Sequence, residues 1–139
     1  MEMKKRAMFA GRWQPVHSAH KWLVEQKLNE GVPALICVYD VPPDSEHPFT
    51  TSETMHMLEL AFEGQDVIVM RIPEVESINY GPEPEHEIVQ HNYPRTKKKR
   101  PASVSVSQIR EQLKEGEQEW RQCVEPKIQG IVHSILLRK

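Results

Sequence analysis

Residues 1–73 alternate between strand-like and helix-like patterns, and that alternation restricts the fold more than any other property of the chain. Residues 5–9 (KRAMF) read as a short strand that ends in a turn at Gly11 and Arg12. Residues 34–39 (ALICVY) form a nearly continuous apolar run of strand length, and residues 66–72 (DVIVMRI) form a third strand closed by Pro73. Unbroken apolar runs of this kind suit strands buried on both faces of a parallel sheet. Two helical stretches lie between them. The first runs from about Ser18 to Asn29, with Leu23, Val24, Lys27 and Leu28 near one face and Gly31 as its stop. The second starts at a Thr51 or Ser52 cap and runs to about Phe62, with Met55, Leu58, Ala61 and Phe62 at helical spacing before Gly64. A β-α-β-α-β order implies right-handed crossovers and a parallel sheet flanked by helices, an α/β Rossmann-like domain.

Residues 73–102 break the pattern. They are rich in proline, acidic at first (Glu74, Glu76, Glu83, Glu85, Glu87) and basic at the end (Arg95, Lys97, Lys98, Lys99, Arg100). This reads as a long loop with at most a short element at residues 85–91, and long loops in compact domains are usually either functional lids or disordered. From Ser107 the chain turns helical, with Ile109 and Leu113, a break at Gly116, then Trp120 and Val124. Pro126 opens a last helix whose apolar stripe is Ile128, Ile131, Val132, Ile135 and Leu136. With no internal repeat and no evident linker, residues 1–139 read as one domain with C-terminal helices.

Charge and cysteine content narrow the function. Eighteen Lys and Arg face twenty Asp and Glu, for a formal charge of -2. A dedicated nucleic-acid or polybasic membrane binder would be strongly basic. The 95–100 basic run is read as a solvated loop, since Tyr93 is its sole nearby stacking aromatic. No apolar run approaches the ~18 residues of a membrane span, and no secretory leader is legible, so the expectation is a cytoplasmic protein. Cys37 and Cys123 are too few for a disulfide scaffold, and Cys37 reads as a buried strand residue. His86 and His91 are five apart and do not share a helical face, so no metal site is expected.

The chemistry concentrates after the first strand, in Gly11-Arg12-Trp13-Gln14-Pro15-Val16-His17-Ser18-Ala19-His20. Gly11 permits a sharp turn and a close backbone approach. His17 and His20 are three apart, so on a helix they share a face, and they sit where free N–H groups and the helix dipole favour anions. A strand, a glycine turn and two imidazoles at a helix start make a phosphate site. A bare His-x-x-His pair is a weak signal in a chain with seven histidines. Asp40, at the end of an apolar strand, is either a ligand contact or a loop cap.

This ten-residue stretch resembles the GRFQPFHxGH signature of the nucleotidyltransferase superfamily, the cytidylyltransferase-like proteins. Its Gly-Arg-x-Gln-Pro form is typical of nicotinamide-nucleotide adenylyltransferase-type members. A second stretch, Ser105-Val106-Ser107-Gln108-Ile109-Arg110, resembles the family's Ser-x-Thr-x-Ile-Arg at a helix start. Weaker echoes lie between them, at Asp40-Val41-Pro42, Pro48-Phe49-Thr50 with Glu53, and Ile78-Asn79-Tyr80-Gly81.

The resemblance implies a nucleotidyltransferase that moves AMP or CMP from a nucleoside triphosphate to a phosphate-containing acceptor and releases pyrophosphate. It implies Mg²⁺ bridging the triphosphate, and positioning and charge neutralisation in place of a protein nucleophile. His20 matches the histidine that stabilises the transition-state phosphate, and His17 the one that binds the triphosphate. Ser105 and Ser107 match hydroxyls that hold phosphate oxygens, and Arg110 matches the neutraliser of the leaving pyrophosphate. Gly11, Arg12 and Gln14 belong to the first motif as nucleotide- and phosphate-binding positions. The Gly-Arg-x-Gln-Pro form favours ATP over CTP. The acceptor is left open among nicotinamide mononucleotide, a phosphopantetheine-type phosphate and a sugar or polyol phosphate, as is a homo-oligomer. The chain departs from the pattern at Ala19, where the family has Gly, at Thr54, where many members carry Arg, and at Gly81-Pro82, where Gly-Arg is usual. These departures motivate a second reading, a catalytically impaired nucleotide-binding sensor or subunit of the same fold.

Overall fold

The apolar runs pair as parallel strands. The computed structural model describes residues 4–92 and 103–138. Strands β1 (Ala7–Gly11), β2 (Ala34–Tyr39) and β3 (Val67–Ile72) form a sheet in the order β1-β2-β3. The first strand sits two residues later than its sequence pattern indicated and runs through Gly11, because Gly11 is still in register with Val38. Helix α1 (Ser18–Leu28) crosses from β1 to β2 and α2 (Thr51–Ala61) from β2 to β3. Right-handed crossovers between successive neighbours place both helices on one face of the sheet.

The register defines that face. Phe9, Ile36 and Val69 lie in one row, and Phe9, Ile36, Val38 and Ala34 are buried with Val24, Met57, Leu58, Ala61 and Phe62. The opposite row of Met8, Leu35 and Ile68 leaves Met8 59% and Ile68 47% exposed, and Met70 in the next row is 43% exposed. Burial on both faces, expected of the 34–39 run, holds for the central strand β2, where Ile36, Cys37 and Val38 are all buried. The outer strands are packed on one side.

Helices α3 (Val106–Glu115) and α4 (Pro126–Arg138) follow, joined by a 3₁₀ turn at Glu119–Cys123. Trp120 in that turn is 1% exposed and packs in the same core as Ile109, Ile128 and Val132, and α4 rests on α2. A Lys21–Glu125 ion pair of 3.1 Å ties the first half of α1 to the residue before α4. Residues 73–92 carry no helix or strand, in line with the loop reading, and the short element allowed at 85–91 does not form. Tyr93 and the basic run at 95–100 lie outside the described residues. No helix among the described residues is long and apolar enough to cross a membrane.

Candidate active site

The loop from β1 to α1 is shaped by Trp13. The left-handed residue of this turn is Trp13, with φ of 58°, and not the glycine that the sequence pointed to. A bulky residue holds that conformation only where its surroundings over-determine it. Trp13 is 5% exposed, and its indole N–H donates to the Cys37 carbonyl at 3.0 Å. The ring thus packs as a Phe does and also bonds the loop to the central strand. A Cβ on Gly11 would meet the Trp13 ring no closer than 3.7 Å, an ordinary contact, so Gly11 serves as the last paired strand residue.

His17 caps α1 and is not part of it. Its backbone is extended (φ -128°, ψ 174°), while its carbonyl accepts from the N–H groups of His20 and Lys21. The two imidazoles nevertheless come together, stacked with centroids 3.8 Å apart and planes 7° from parallel. Trp13 meets the His20 ring edge-on at 5.0 Å. The His17 N–H donates to His20 Nδ1 at 3.3 Å, so neutral His20 carries its proton on Nε2. Burial lowers the pKa of both rings; for His20, desolvation and then the charge of His17 bring it to about 3. Both imidazoles are neutral donors at neutral pH. Ala19 is buried, so its methyl packs inside the protein.

The second motif opens α3. Ser105 is the cap, its Oγ accepting from the Gln108 N–H at 3.1 Å while Gln108 Oε1 accepts from the Ser105 N–H at 2.8 Å. Val104 and Val106 are buried and Ser105 and Ser107 exposed, so the alternation anchors the helix start and presents both hydroxyls. A capping hydroxyl still has a proton to donate.

The arginines converge on a turn that the sequence did not single out. Arg12 donates to the Pro42 carbonyl at 3.4 Å and lies 3.5 Å from the Asp44 carboxylate. Arg110 donates to the Ser45 carbonyl. Residues 42–47 therefore join the two motifs. Asp44 Oδ1 accepts from the backbone N–H of Glu46 and His47 and lies 3.0 Å from His47 Nδ1, giving His47 a partner. Desolvation raises the Asp44 pKa, but the hydrogen bonds from His47 and Glu46 outweigh it and leave the carboxyl below its ordinary range. An Asp that begins a turn after two prolines is the signal that marks this segment. Gln14 is engaged in holding the scaffold. Its amide donates to the Phe49 carbonyl at 2.8 Å and accepts from the Phe49 N–H at 3.1 Å.

Beside the turn, at the C-terminal ends of β2 and β3, is a cleft of about 420 Å³ lined by Asp40, Pro42, Thr51, Ser52 and Arg71 among others. Asp40 Oδ1 accepts from Thr51 Oγ1 at 3.0 Å, and Arg71 donates to Ser52 Oγ at 2.8 Å. Asp40 thus serves as a loop-to-helix tie and also lines a cavity. No group of three or more His, Cys, Asp or Glu among the described residues converges as metal ligands do.

The fold defines an α/β protein with a parallel sheet and flanking helices, and comparison with known proteins places it in a family. The chain belongs to the cytidylyltransferase-like family, whose model matches residues 8–125. That span includes both motifs, the 42–47 turn and the cleft. A nicotinamide-nucleotide adenylyltransferase of Methanocorpusculum labreanum is 31% identical over 71 residues, a stretch covering 50% of this chain and 42% of that relative. No solved structure gives a significant match.

Proposed function

We propose that this chain is an adenylyltransferase that takes ATP and a small phosphorylated acceptor and releases pyrophosphate. The observation that carries this reading is the stacked, neutral His17–His20 pair at the start of α1. In the reaction an acceptor phosphate oxygen attacks the α-phosphorus of ATP. The new P–O bond forms as the bond to the bridging oxygen breaks, and pyrophosphate carries the electron pair away. His20 Nε2–H donates to a non-bridging α-phosphate oxygen and stabilises the charge that develops there. His17, the Ser105 and Ser107 hydroxyls and the free N–H groups at the start of α3 hold the triphosphate. Arg12 and Arg110 neutralise the leaving pyrophosphate. Mg²⁺ enters with ATP as part of the substrate and neutralises triphosphate oxygens. The donor set here, imidazoles, hydroxyls and guanidinium groups, suits those oxygens and lacks the carboxylates that would hold Mg²⁺ on the protein itself.

The acceptor belongs in the cleft beside Pro42, whose size falls in the usual range for small-molecule sites. Arg71 pairs with its phosphate and Asp40 accepts from its hydroxyl groups. The name of the related enzyme makes nicotinamide mononucleotide the first acceptor to assay. The test is pyrophosphate release with ATP or CTP, Mg²⁺ and each acceptor class. The expected result is turnover with ATP, and a loss of roughly 10²–10³ in kcat for His20→Ala, the cost of removing one preorganised donor. Full activity in His20→Ala rejects its role. Nucleotide binding without turnover across the panel selects the sensor reading instead.

A further inference from the structure

We propose that the 42–47 turn is an internal anion mimic, which occupies Arg12 and Arg110 until a polyphosphate displaces it. This rests on the phosphate reading of the site. Both arginines that the motifs contribute are engaged with oxygens of this one turn. Asp44 Oδ2 lies 3.5 Å from Arg12, the Pro42 carbonyl accepts from Arg12 at 3.4 Å, and the Ser45 carbonyl accepts from Arg110. A carboxylate and two carbonyls offer a guanidinium what phosphate oxygens offer, with less charge. The Arg12 contacts are long, so they are weak competitors.

The turn is also built to move as a unit. Asp44 Oδ1 and the Asp44 N–H close it internally, the N–H donating to the His47 carbonyl at 3.0 Å. Residues 42–46 are exposed, so displacing them uncovers no core. The ends are fixed. Asp40 N–H donates to the Ile72 carbonyl at the upstream end, and Gln14 grips Phe49 on both sides downstream. A rigid turn between two fixed ends, held to two cations by its oxygens alone, is a device for exchanging those oxygens. Its effect is to favour polyphosphates, which bring more charge to the two guanidinium groups than the turn offers.

Asp44→Asn tests this because the amide oxygen preserves the turn while the charge facing Arg12 is lost. Glu46→Gln, an equal charge change on an exposed side chain of the same turn, is the control. Binding of inorganic tripolyphosphate and of ATP is measured by calorimetry on the full chain. The expected result is that Asp44→Asn binds about two- to fivefold more tightly than wild type, the range of a half-exposed ion pair that no longer competes, and that Glu46→Gln matches wild type. Unchanged or weaker binding by Asp44→Asn overturns the inference, because Asp44 then positions Arg12 and does not compete for it. In wild type, saturating tripolyphosphate is expected to shift the Glu46 and His47 amide resonances, and unmoved resonances equally overturn it. If wild type binds neither tripolyphosphate nor ATP, the phosphate reading of the site fails first and this inference falls with it.

Discussion

A histidine that has lost its charge acts as a directed hydrogen-bond donor and not as a counter-ion, and burial, reinforced by the stack against His17, enforces that on His20. Two imidazolium rings 3.8 Å apart would repel, and burial opposes even one charge. The consequence is a pH-dependent stability whose direction is fixed. His20 titrates at about 3 in the folded protein against an ordinary 6.5. Between those values the unfolded chain holds a proton that the folded chain does not, so acid favours unfolding. The group contributes nothing to this difference above its ordinary value, and its contribution against folding grows as pH falls toward the folded value. Wild type is therefore expected to lose roughly 2 kcal/mol more stability than His20→Asn between pH 7 and pH 5. Urea denaturation of both proteins across that range measures it. Parallel stability curves would mean that His20 titrates in the folded protein as it does in the unfolded chain, so that burial does not hold the ring neutral.

At the scale of elements, the helix starts do two jobs. The Ser105 hydroxyl caps α3 and is also proposed to donate to a phosphate oxygen. The two roles separate by substitution. Ser105→Ala removes the cap and is expected to cost about 1 kcal/mol of stability together with triphosphate affinity. Ser105→Asp keeps a capping oxygen and favours the helix dipole, so stability returns to within a few tenths of a kcal/mol of wild type. It also sets a carboxylate against the phosphate, so affinity stays low. Recovery of both properties in Ser105→Asp would leave Ser105 as a cap alone.

What could be read in advance follows the range of each interaction. Strand and helix positions were legible because hydrophobic period is local. Their ends moved where capping boxes decided them. Thr50, and not Thr51 or Ser52, caps α2, because its hydroxyl accepts from the Glu53 N–H while Glu53 accepts from Thr50. The imidazole pair was legible from its spacing, although His17 reaches His20 from a cap and not from within the helix. The arginine contacts of the 42–47 turn and the Gln14–Phe49 clamp were not legible, since those partners lie 30 or more residues apart and no periodicity links them.

At the scale of the molecule, the order β1-β2-β3 gives the sheet one helix-packed face and one face whose outer strands stay exposed beside a buried Cys37. Both crossovers lie on the Phe9–Ile36–Val69 side, which leaves Met8, Ile68 and Met70 half-exposed in adjacent rows. The two sides should therefore answer mutation differently. Ile36 is 0% exposed on the packed side, and Ile36→Ala leaves a cavity expected to cost about 2–5 kcal/mol. Ile68 lies on the exposed side at 47% exposure, and Ile68→Thr keeps β-branching while trading the ethyl arm for a hydroxyl that water can reach. Its cost is expected to stay under about 1 kcal/mol, since surface changes away from special features are small. Equilibrium urea unfolding of both variants measures the contrast. A cost for Ile68→Thr approaching that of Ile36→Ala would mean that the open face is covered in solution, and the one-sided layering would have to be revised.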